Sequence, residues 1–233
     1  MKQSSDNVRK MFSEIAHRYD LANDILTFGL HRTWYSKIVN QFKGKKGLSV
    51  LDCATGTGNL AFKFKKLLPD SIVTGVDFSE KMIELAQMKN TKKNLDVNFK
   101  WGDALNLEFP AGVFDVATIS WGIRNVESPD KCLREMARVV KPGGSVVVLE
   151  FGQPRGFLKL LYLIYHKLFL QPVGGFLTGK KYAYSYLTET AGVFPCGDNF
   201  LSLMEQTGCF SKMTYQKLFW GIAYIYVGKV SNL

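Results

Sequence analysis

Two close glycines and three separated aspartates are the residues whose types and spacing suggest chemistry. Gly56 and Gly58 lie in the stretch SVLDCATGTGNL, and Asp52 comes directly before them. Glycine takes positive φ easily and lets the backbone approach a ligand, while the N–H groups of a following helix point back at such a loop. Asp77 and Asp103 follow the next two apolar segments. The pattern predicts a strand, a glycine loop and a helix that bind a nucleotide-like cofactor.

The segments around this loop alternate between strand and helix periodicity. Strands are predicted at 48–52, 72–76, 97–101, 113–119 and 145–150, and helices at 58–68, 79–89 and 130–140. This alternation is typical of an α/β fold with a doubly wound, parallel sheet, in which ligands bind at the carboxyl ends of the strands. Asp52, Asp77, Asp103 and Ser120 all fall at those ends, which predicts one shared site.

The chain is predicted to be a single domain with four regions. They are a helical N-terminal lid (1–47), a cofactor-binding core (48–150), an apolar substrate-side insertion (151–198) and a terminal helix with strands (199–233). In the lid, Asp20 and Asn23 are expected to interrupt the first helix. The stretch 182–186 is expected to be a loop. The segments 213–218 and 222–227 are expected to form a terminal antiparallel pair.

Composition limits the class of protein. The 233 residues suffice for one sizeable core, and 30 basic against 20 acidic residues give a net charge of +10, which favours anionic partners. No apolar run approaches the ~20 residues that span a bilayer. Four scattered cysteines and a hydrophilic N-terminus predict free thiols in the cytoplasm. No metal site is expected.

A nicotinamide or flavin dehydrogenase is the first class of protein that the glycine loop suggests. Gly56, Gly58 and Ala61 satisfy the looser dinucleotide pattern, and Asp77 lies nineteen residues after Gly58. A carboxylate directly before the loop, Asp52, would however repel a pyrophosphate. The terminal antiparallel pair is not expected of a dehydrogenase sheet either, so this class is disfavoured.

S-adenosylmethionine suits the three aspartates better, because it has no phosphates and carries cationic sulfonium and amino groups. Asp52 can face its methionine end, Asp77 can accept from the ribose hydroxyls, and Asp103 can accept from the adenine amino group. Alternatively, each aspartate merely caps its own strand. Three on successive strands beside a glycine loop favour the cofactor site.

Longer motifs narrow the class further. The stretches YDLANDILTFGLHRTW (19–34), GDALNLEFPAGVFDVATISWGIRNV (102–126), REMARVVKPGGSVVVLEFGQP (134–154) and YSYLTET (184–190) resemble the ubiquinone/menaquinone biosynthesis C-methyltransferases, the UbiE/MenG family. The resemblance runs over about residues 12–228. It implies a Rossmann-like class I methyltransferase fold, with a mostly parallel seven-stranded sheet and a terminal antiparallel strand. It also implies C-methylation of a polyprenylated hydroquinone, most like demethylmenaquinol to menaquinol, or 2-methoxy-6-polyprenyl-1,4-benzoquinol in ubiquinone synthesis.

Read together, the glycine loop, the strand ends and the resemblance define the expected cofactor contacts: Asp52, Gly56, Thr57, Gly58, Asp77, Asp103, Ala104 and Ser120. For catalysis, a ring carbon becomes a good nucleophile when the adjacent phenol, with a pKa of ~10, loses its proton. Arg124 is expected to stabilise that oxyanion and, because arginine stays protonated, to orient a water that takes the proton. Asn125 is expected to fix the ring hydroxyl.

Secondary candidates for substrate contact are Tyr19, His31, Glu150, Tyr184 and Tyr186. Tyr19 is expected to close over the cofactor. His31 is expected to make a structural hydrogen bond rather than to act as a catalytic base. Tyr184 and Tyr186 are expected to be pocket wall.

The apolar segment 157–176 suggests an exit for a lipid tail or a contact with the membrane surface, although an ordinary covering helix explains it equally well. The expected location is cytoplasmic, and a peripheral position at the inner face of the membrane is left open. The expected partner is a polyprenylated quinol, and a homo-oligomer is left open.

Three other functions are alternatives to quinol methylation. RNA or DNA base methylation usually comes with an Asn/Asp-Pro-Pro-aromatic motif after the fourth strand, whereas this chain has Ser120-Trp121-Gly122 and dispersed lysines, so no nucleic-acid partner is expected. A non-catalytic cofactor-binding module is disfavoured by Arg124 and Asn125. A methyltransferase that acts on another small lipid or phenol is the stronger alternative.

Overall fold

The computed structural model describes residues 5–154 and 156–232. The helices are α1 (Ser5–Leu26), α2 (Leu30–Asn40), α3 (Asn59–Leu67), α4 (Glu80–Lys93), α5 (Pro129–Val139), α6 (Phe157–Tyr165), α7 (Gln171–Thr178), α8 (Lys181–Val193) and α9 (Asp198–Gln206). The strands are β1 (Ser49–Cys53), β2 (Ile72–Asp77), β3 (Val97–Trp101), β4 (Phe114–Ser120), β5 (Val140–Phe151), β6 (Phe210–Leu218) and β7 (Ala223–Val230).

The seven strands form one sheet in the order β3-β2-β1-β4-β5-β7-β6. The first five are mutually parallel, while β7 pairs antiparallel with both β5 and β6. The predicted α/β class, the parallel core and the terminal antiparallel pair are therefore confirmed. β5 begins at Val140, five residues before the predicted start, because Val140 pairs with Phe114 ahead of a register shift.

Both faces of the sheet are covered by helices. Val50 and Leu51 are adjacent in β1 and both are completely buried, yet they belong to hydrophobic clusters on opposite sides of the sheet. A central parallel strand is buried on both faces, which explains why β1 reads as a continuous apolar run rather than an alternating one. The site-bearing loops are thus carried on a rigid, doubly covered scaffold.

The N-terminal lid differs from the prediction. Asp20 and Asn23 do not interrupt the first helix, since α1 is continuous through both. The Asp20 carboxylate does not compete with the helix backbone, because it accepts hydrogen bonds from Thr57 and Asn59 across the interface. The polar side chains of α1 therefore attach the lid to the core.

The prediction of a loop at 182–186 is also wrong, because these residues lie in α8. The ring of Tyr184 rests directly on Gly174 of α7, where an added Cβ would lie 2.6 Å from the ring. Tyr184 joins Leu26 and Leu170 in a hydrophobic cluster between α1 and the helices of the insertion. Close packing between α7 and α8 therefore orders this segment as a helix.

The apolar insertion from α6 to α7 leaves many large side chains in solvent. Those more than two-fifths exposed are Phe157, Leu160, Leu161, Leu163, Ile164, Leu168 and Phe176. None of the helices in the described ranges combines the length and apolar character that a membrane crossing requires.

Candidate active site

A cavity of about 170 Å³ lies at the carboxyl ends of the parallel strands. The predicted cofactor residues that line it are Gly56, Asp77, Asp103, Ala104 and Ser120, and Tyr19 and Asn125 line it as well. These residues come from the ends of β1 to β4, from the lid and from the turn after β4. The topology therefore brings most of the expected site together, as binding at the carboxyl ends of a parallel sheet requires.

Asp77 organises the glycine loop. Its Oδ2 accepts from the Gly56 N–H at 2.8 Å, and its Oδ1 accepts from the Ser79 N–H at 2.9 Å. Burial raises the pKa of Asp77, while these two backbone hydrogen bonds oppose the rise. A carboxylate has about four acceptor positions, so Asp77 retains acceptor capacity for ligand hydroxyls.

Asp103 lies on the wall formed by the segment after β3. Its Oδ1 accepts from the Leu105 N–H at 2.9 Å, which fixes the turn that follows. Ala104 is a small side chain beside it, and both line the same cavity as Asp77. Two carboxylates on neighbouring strands thus face a single cavity.

Asp52 does not lie where the sequence predicted. Its side chain is completely buried beneath the loop, where Oδ2 accepts from Thr55 Oγ1 and Oδ1 accepts from Thr118 Oγ1, each at 2.7 Å. Burial raises the pKa of Asp52 to about 6. The predicted contact with the methionine end of a cofactor is therefore replaced by a bracing role between β1 and β4.

Thr57 and Gly58 also have structural partners. Thr57 Oγ1 donates to Asp20 Oδ1 at 2.5 Å, which ties the glycine loop to α1. Gly58 has φ 87°, and an added Cβ would lie 2.6 Å from the ring of Phe99. Both residues stabilise the conformation of the loop, and neither lines the cavity that Gly56 lines.

Arg124 is held in a buried ion pair. Its Nη1 donates to Glu150 Oε1 and to the Trp121 carbonyl oxygen, each at 2.7 Å. Among the described residues, the buried Arg124 Nε has no hydrogen-bond partner. Burial raises the pKa of Glu150, and the charge of Arg124 opposes that rise. Glu150 therefore acts on the site through Arg124.

Trp121 is a functional position that the sequence reasoning missed. Its φ of 59° is in the left-handed region, which a bulky residue rarely adopts. This backbone conformation presents a carbonyl that accepts from Arg124 Nη1 and also from Asn125 Nδ2 at 3.1 Å. Asn125 Oδ1 is buried without a partner in the part of the chain that is described. One strained peptide thus orients both predicted catalytic side chains.

Three of the predicted substrate residues lie around Arg124: Tyr19, Tyr184 and Tyr186. All four line a small cavity of about 20 Å³ between α1, α8 and the turn after β4. Burial raises the pKa of Tyr19, and it raises the pKa of Tyr184 to about 12. These phenols stay protonated at neutral pH and form a largely aromatic wall around the guanidinium.

His31 lies outside this site. It lines a separate cavity of about 330 Å³ with Arg32, Lys63 and Lys66. Thr27 Oγ1 is 2.6 Å from His31 Nδ1, and Asp24 Oδ1 is 3.4 Å from Nε2. Burial lowers the pKa of His31. The structure therefore gives His31 partners within the lid rather than a place beside Arg124.

Tyr162 is a second position that was not among the predicted site residues. Its hydroxyl is buried and lacks a hydrogen-bond partner among the described residues. Its separation from Tyr165 and His166 by three and four residues is the helical spacing of one face, which could have indicated a shared environment.

Comparison with solved structures identifies the fold. An S-adenosylmethionine-dependent methyltransferase from Thermotoga maritima matches with a TM-score of 0.65 and 21% identity, over 94% of this chain and 98% of that one. Phosphoethanolamine N-methyltransferase 2 from Haemonchus contortus, in complex with S-adenosylmethionine, matches with a TM-score of 0.65 and 16% identity, over 86% of this chain and 53% of the other. The fold is that of the class I S-adenosylmethionine-dependent methyltransferases.

Sequence comparisons identify the family. The model of the ubiE/COQ5 methyltransferase family matches residues 1–229. The Ubiquinone/menaquinone biosynthesis C-methyltransferase UbiE of Bdellovibrio bacteriovorus is 47% identical, over 96% of this chain and 95% of the relative. The Demethylmenaquinone methyltransferase of Thermus thermophilus is 42% identical, over 94% and 99%. The chain belongs to the ubiE/COQ5 methyltransferase family.

The cofactor of this enzyme is S-adenosylmethionine. The donors and acceptors that line the cavity at the carboxyl ends of the strands fit this cofactor. Asp77 and Asp103 provide acceptors for ribose hydroxyls and an adenine amino group, and carboxylates suit a ligand with cationic groups. Gly56, at φ 56°, lets the backbone of the loop approach the ligand.

Proposed function

We propose that this protein C-methylates the ring of a polyprenylated quinol, with demethylmenaquinol converted to menaquinol as the main reaction. The corresponding benzoquinol of ubiquinone synthesis, 2-methoxy-6-polyprenyl-1,4-benzoquinol, is the alternative substrate of the same chemistry. The names of the relatives from Bdellovibrio bacteriovorus and Thermus thermophilus support a substrate of this class. The observation that carries the proposal is the placement of Arg124 and Asn125 beside the cofactor cavity, with a buried unpartnered atom on each.

When bound, S-adenosylmethionine supplies a methyl group, which bonds to the ring carbon as its bond to sulfur breaks, leaving S-adenosylhomocysteine. The ring carbon gives up its hydrogen as a proton, so the net reaction releases one proton. The protein has to make the ring carbon nucleophilic, hold it in line and keep water away.

Arg124 stabilises the phenolate that makes the ring carbon nucleophilic. Its guanidinium is fixed by Glu150 and by the Trp121 carbonyl, and this leaves the Nε–H for a ligand oxygen. A fixed, buried charge needs little reorganisation when negative charge develops on the ring oxygen. Because arginine does not give up its proton, the acceptor of the phenol proton is a water that Arg124 orients.

Asn125 fixes the ring hydroxyl. Its Nδ2 donates to the Trp121 carbonyl, which gives the amide group a defined direction, and Asn125 lines the cofactor cavity. An amide oxygen accepts from a phenol O–H, which orients the neutral substrate before it ionises. Tyr19 lines both this cavity and the one beside Arg124 and completes the enclosure.

The lipid tail of the substrate leaves the site along the insertion, whose exposed apolar face (157–176) contacts the membrane surface. An apolar helix face flanked by basic residues suits an anionic bilayer surface. Lys159 and Lys167 lie in this segment, and the chain as a whole carries +10. The enzyme accordingly works as a peripheral protein at the inner face of the membrane.

Purified protein tests the reaction directly. With S-adenosylmethionine and a short-chain demethylmenaquinol kept reduced, the expected product carries one added methyl group on the ring carbon, measured by mass spectrometry and NMR. Arg124→Ala should abolish turnover while the affinity for S-adenosylhomocysteine, measured by calorimetry, stays near that of the wild type. A methyl group on oxygen, or no product from the wild type, would overturn the proposal. Lost cofactor affinity would reassign Arg124 to the cofactor site.

A further inference from the structure

The hydroxyl of Tyr162 is buried and lacks a hydrogen-bond partner among the described residues. Tyr162 lies in α6, where most apolar side chains are more than two-fifths solvent-exposed, whereas the Tyr162 hydroxyl is buried. An unpaired buried hydroxyl costs roughly 1–3 kcal/mol. Such a group in a native protein calls for an explanation, and a ligand that completes the hydrogen bond is one.

Besides burial, two charged residues of the active site, Arg124 and Glu150, act on this hydroxyl. The charge of Arg124 lowers the pKa of Tyr162 and that of Glu150 raises it, while Tyr165 is the neighbouring phenol. Burial dominates and raises the pKa of Tyr162, so this phenol stays protonated at neutral pH and donates a hydrogen bond. Arg124 Nε is likewise a buried donor without a hydrogen-bond partner among the described residues.

The ring of Tyr162 is held in place by its surroundings. The ring of His166 lies one turn further on, with 4.0 Å between ring centroids, and His166 Nδ1 is 3.0 Å from Thr188 Oγ1 in α8. Burial lowers the pKa of His166 to about 4, so the imidazole is neutral. His166 also begins a π-helical turn, 166–170, and such turns are frequent at functional sites.

We propose that Tyr162 and Arg124 donate hydrogen bonds to the same oxygen of a phenolic ligand, so that the insertion supplies the second half of an oxyanion-binding point. This role rests on the proposed function, since it names the part of that site which stabilises the phenolate. His166 and Thr188 are positioning residues for the Tyr162 ring. The site is thereby complete when the insertion is packed against the turn after β4.

The test is the ionisation of a bound phenol, which needs no turnover. The probe is 1-naphthol, bound to the protein with saturating S-adenosylhomocysteine, and its pKa is measured from the absorbance change on ionisation. The wild type should lower the pKa of bound 1-naphthol below that of the free compound. Tyr162→Phe should raise the bound value by about 1–2, because a hydrogen bond to a charged group contributes on that scale.

Tyr165→Phe is the matched control, because the Tyr165 hydroxyl already donates to the Leu26 carbonyl and is not available to a ligand. It should leave the pKa of bound 1-naphthol unchanged. In turnover, Tyr162→Phe should lower kcat about 10- to 100-fold with little change in KM for S-adenosylmethionine.

The outcomes separate the two proposals. If the wild type methylates the quinol and Tyr162→Phe leaves the pKa of bound 1-naphthol unchanged, the role of Tyr162 is overturned while the proposed function stands. If the wild type neither binds 1-naphthol nor methylates the quinol, both proposals fail.

Discussion

Arg124 donates to Glu150 across 2.7 Å, with 3% and 1% of the two side chains exposed. The pair joins the turn after β4 to the end of β5, two neighbouring parallel strands. Desolvating two charges is unfavourable unless they are well paired and hydrogen-bonded. The pair therefore fixes the guanidinium at the edge of the cavity, where the proposed chemistry needs a charge that does not move.

Breaking this pair from one side should destabilise the fold. Arg124→Met and Glu150→Leu should each lower the free energy of unfolding by about 3–5 kcal/mol, since each leaves an uncompensated buried charge. The double variant should lose much less than the sum of the two. Urea denaturation at pH 7 measures all three, and additive losses would show that the two side chains are not coupled.

Asp52 should make stability depend on pH. Its folded pKa of about 6 lies above its ordinary value of 3.8, so the native state holds the proton more tightly than the unfolded chain does. The stability contributed by protonated Asp52 is complete below pH 4 and is lost as pH rises through 6. Asp52→Asn should therefore gain stability relative to the wild type by up to about 3 kcal/mol between pH 4 and pH 7.

Asp77 and Glu150 also have raised pKa values, so the difference between wild type and variant is the informative quantity. Denaturant unfolding of both proteins across this range provides it. A difference that stays constant with pH would show that Asp52 is not protonated in the folded protein near pH 5.

Gly122 lies where the cofactor loop approaches the turn after β4. An added Cβ there would lie 2.6 Å from Ala54 Cβ, on the wall of the cofactor cavity. Gly122→Ala should lower the free energy of unfolding by about 1–3 kcal/mol and weaken cofactor binding, because one of the two loops has to move. Calorimetry with S-adenosylhomocysteine measures the second effect.

Gly192→Ala is the control for this substitution. Gly192 is in α8 with nothing within 4 Å of its added Cβ, so alanine should be neutral or stabilising by roughly 0.5–1 kcal/mol. Equal effects of the two substitutions would remove the steric explanation for Gly122.

The insertion should bind membranes through its exposed apolar face. Leu161→Glu/Ile164→Glu should reduce co-sedimentation with anionic liposomes about 10-fold or more, since each buried apolar side chain contributes roughly 1.5–3 kcal/mol. Ile72→Glu/Met88→Glu makes the same change of charge at exposed apolar residues outside the insertion. An equal loss of co-sedimentation in both variants would show that general electrostatics is the cause. No loss in either variant would contradict membrane contact by the insertion.

Much of the fold was predictable because its signals are local. The buried strand β1, the glycine turn and α3 follow one another within twenty residues. Asp77, the last residue of β2, and Asp103, just after β3, mark the ends of their strands. In a parallel sheet these ends meet at one edge, so Asp77 and Asp103 could be assigned to a common cavity. The apolar insertion was predictable because its apolar residues are consecutive in the sequence.

The remaining features depend on contacts between distant segments. Asp52 pairs in register with Thr118 of β4, and the hydrogen bond across this pair turns the carboxylate under the loop. Spacing along the sequence does not reveal which strand lies beside β1. The helix α8 likewise depends on a contact between distant residues, because the Tyr184 ring packs against Gly174, ten residues earlier in the chain. The role of the Trp121 carbonyl depends on a backbone angle that its side chain disfavours.

The most direct measurement of the central claim is the quinone content of cells with and without the gene, determined by mass spectrometry. Loss of a ring C-methyltransferase should cause a quinone that lacks one methyl group to accumulate. The gene for the wild-type protein should restore the methylated quinone, while the gene for Arg124→Ala should not. An unchanged quinone pool in cells without the gene would contradict the proposed reaction.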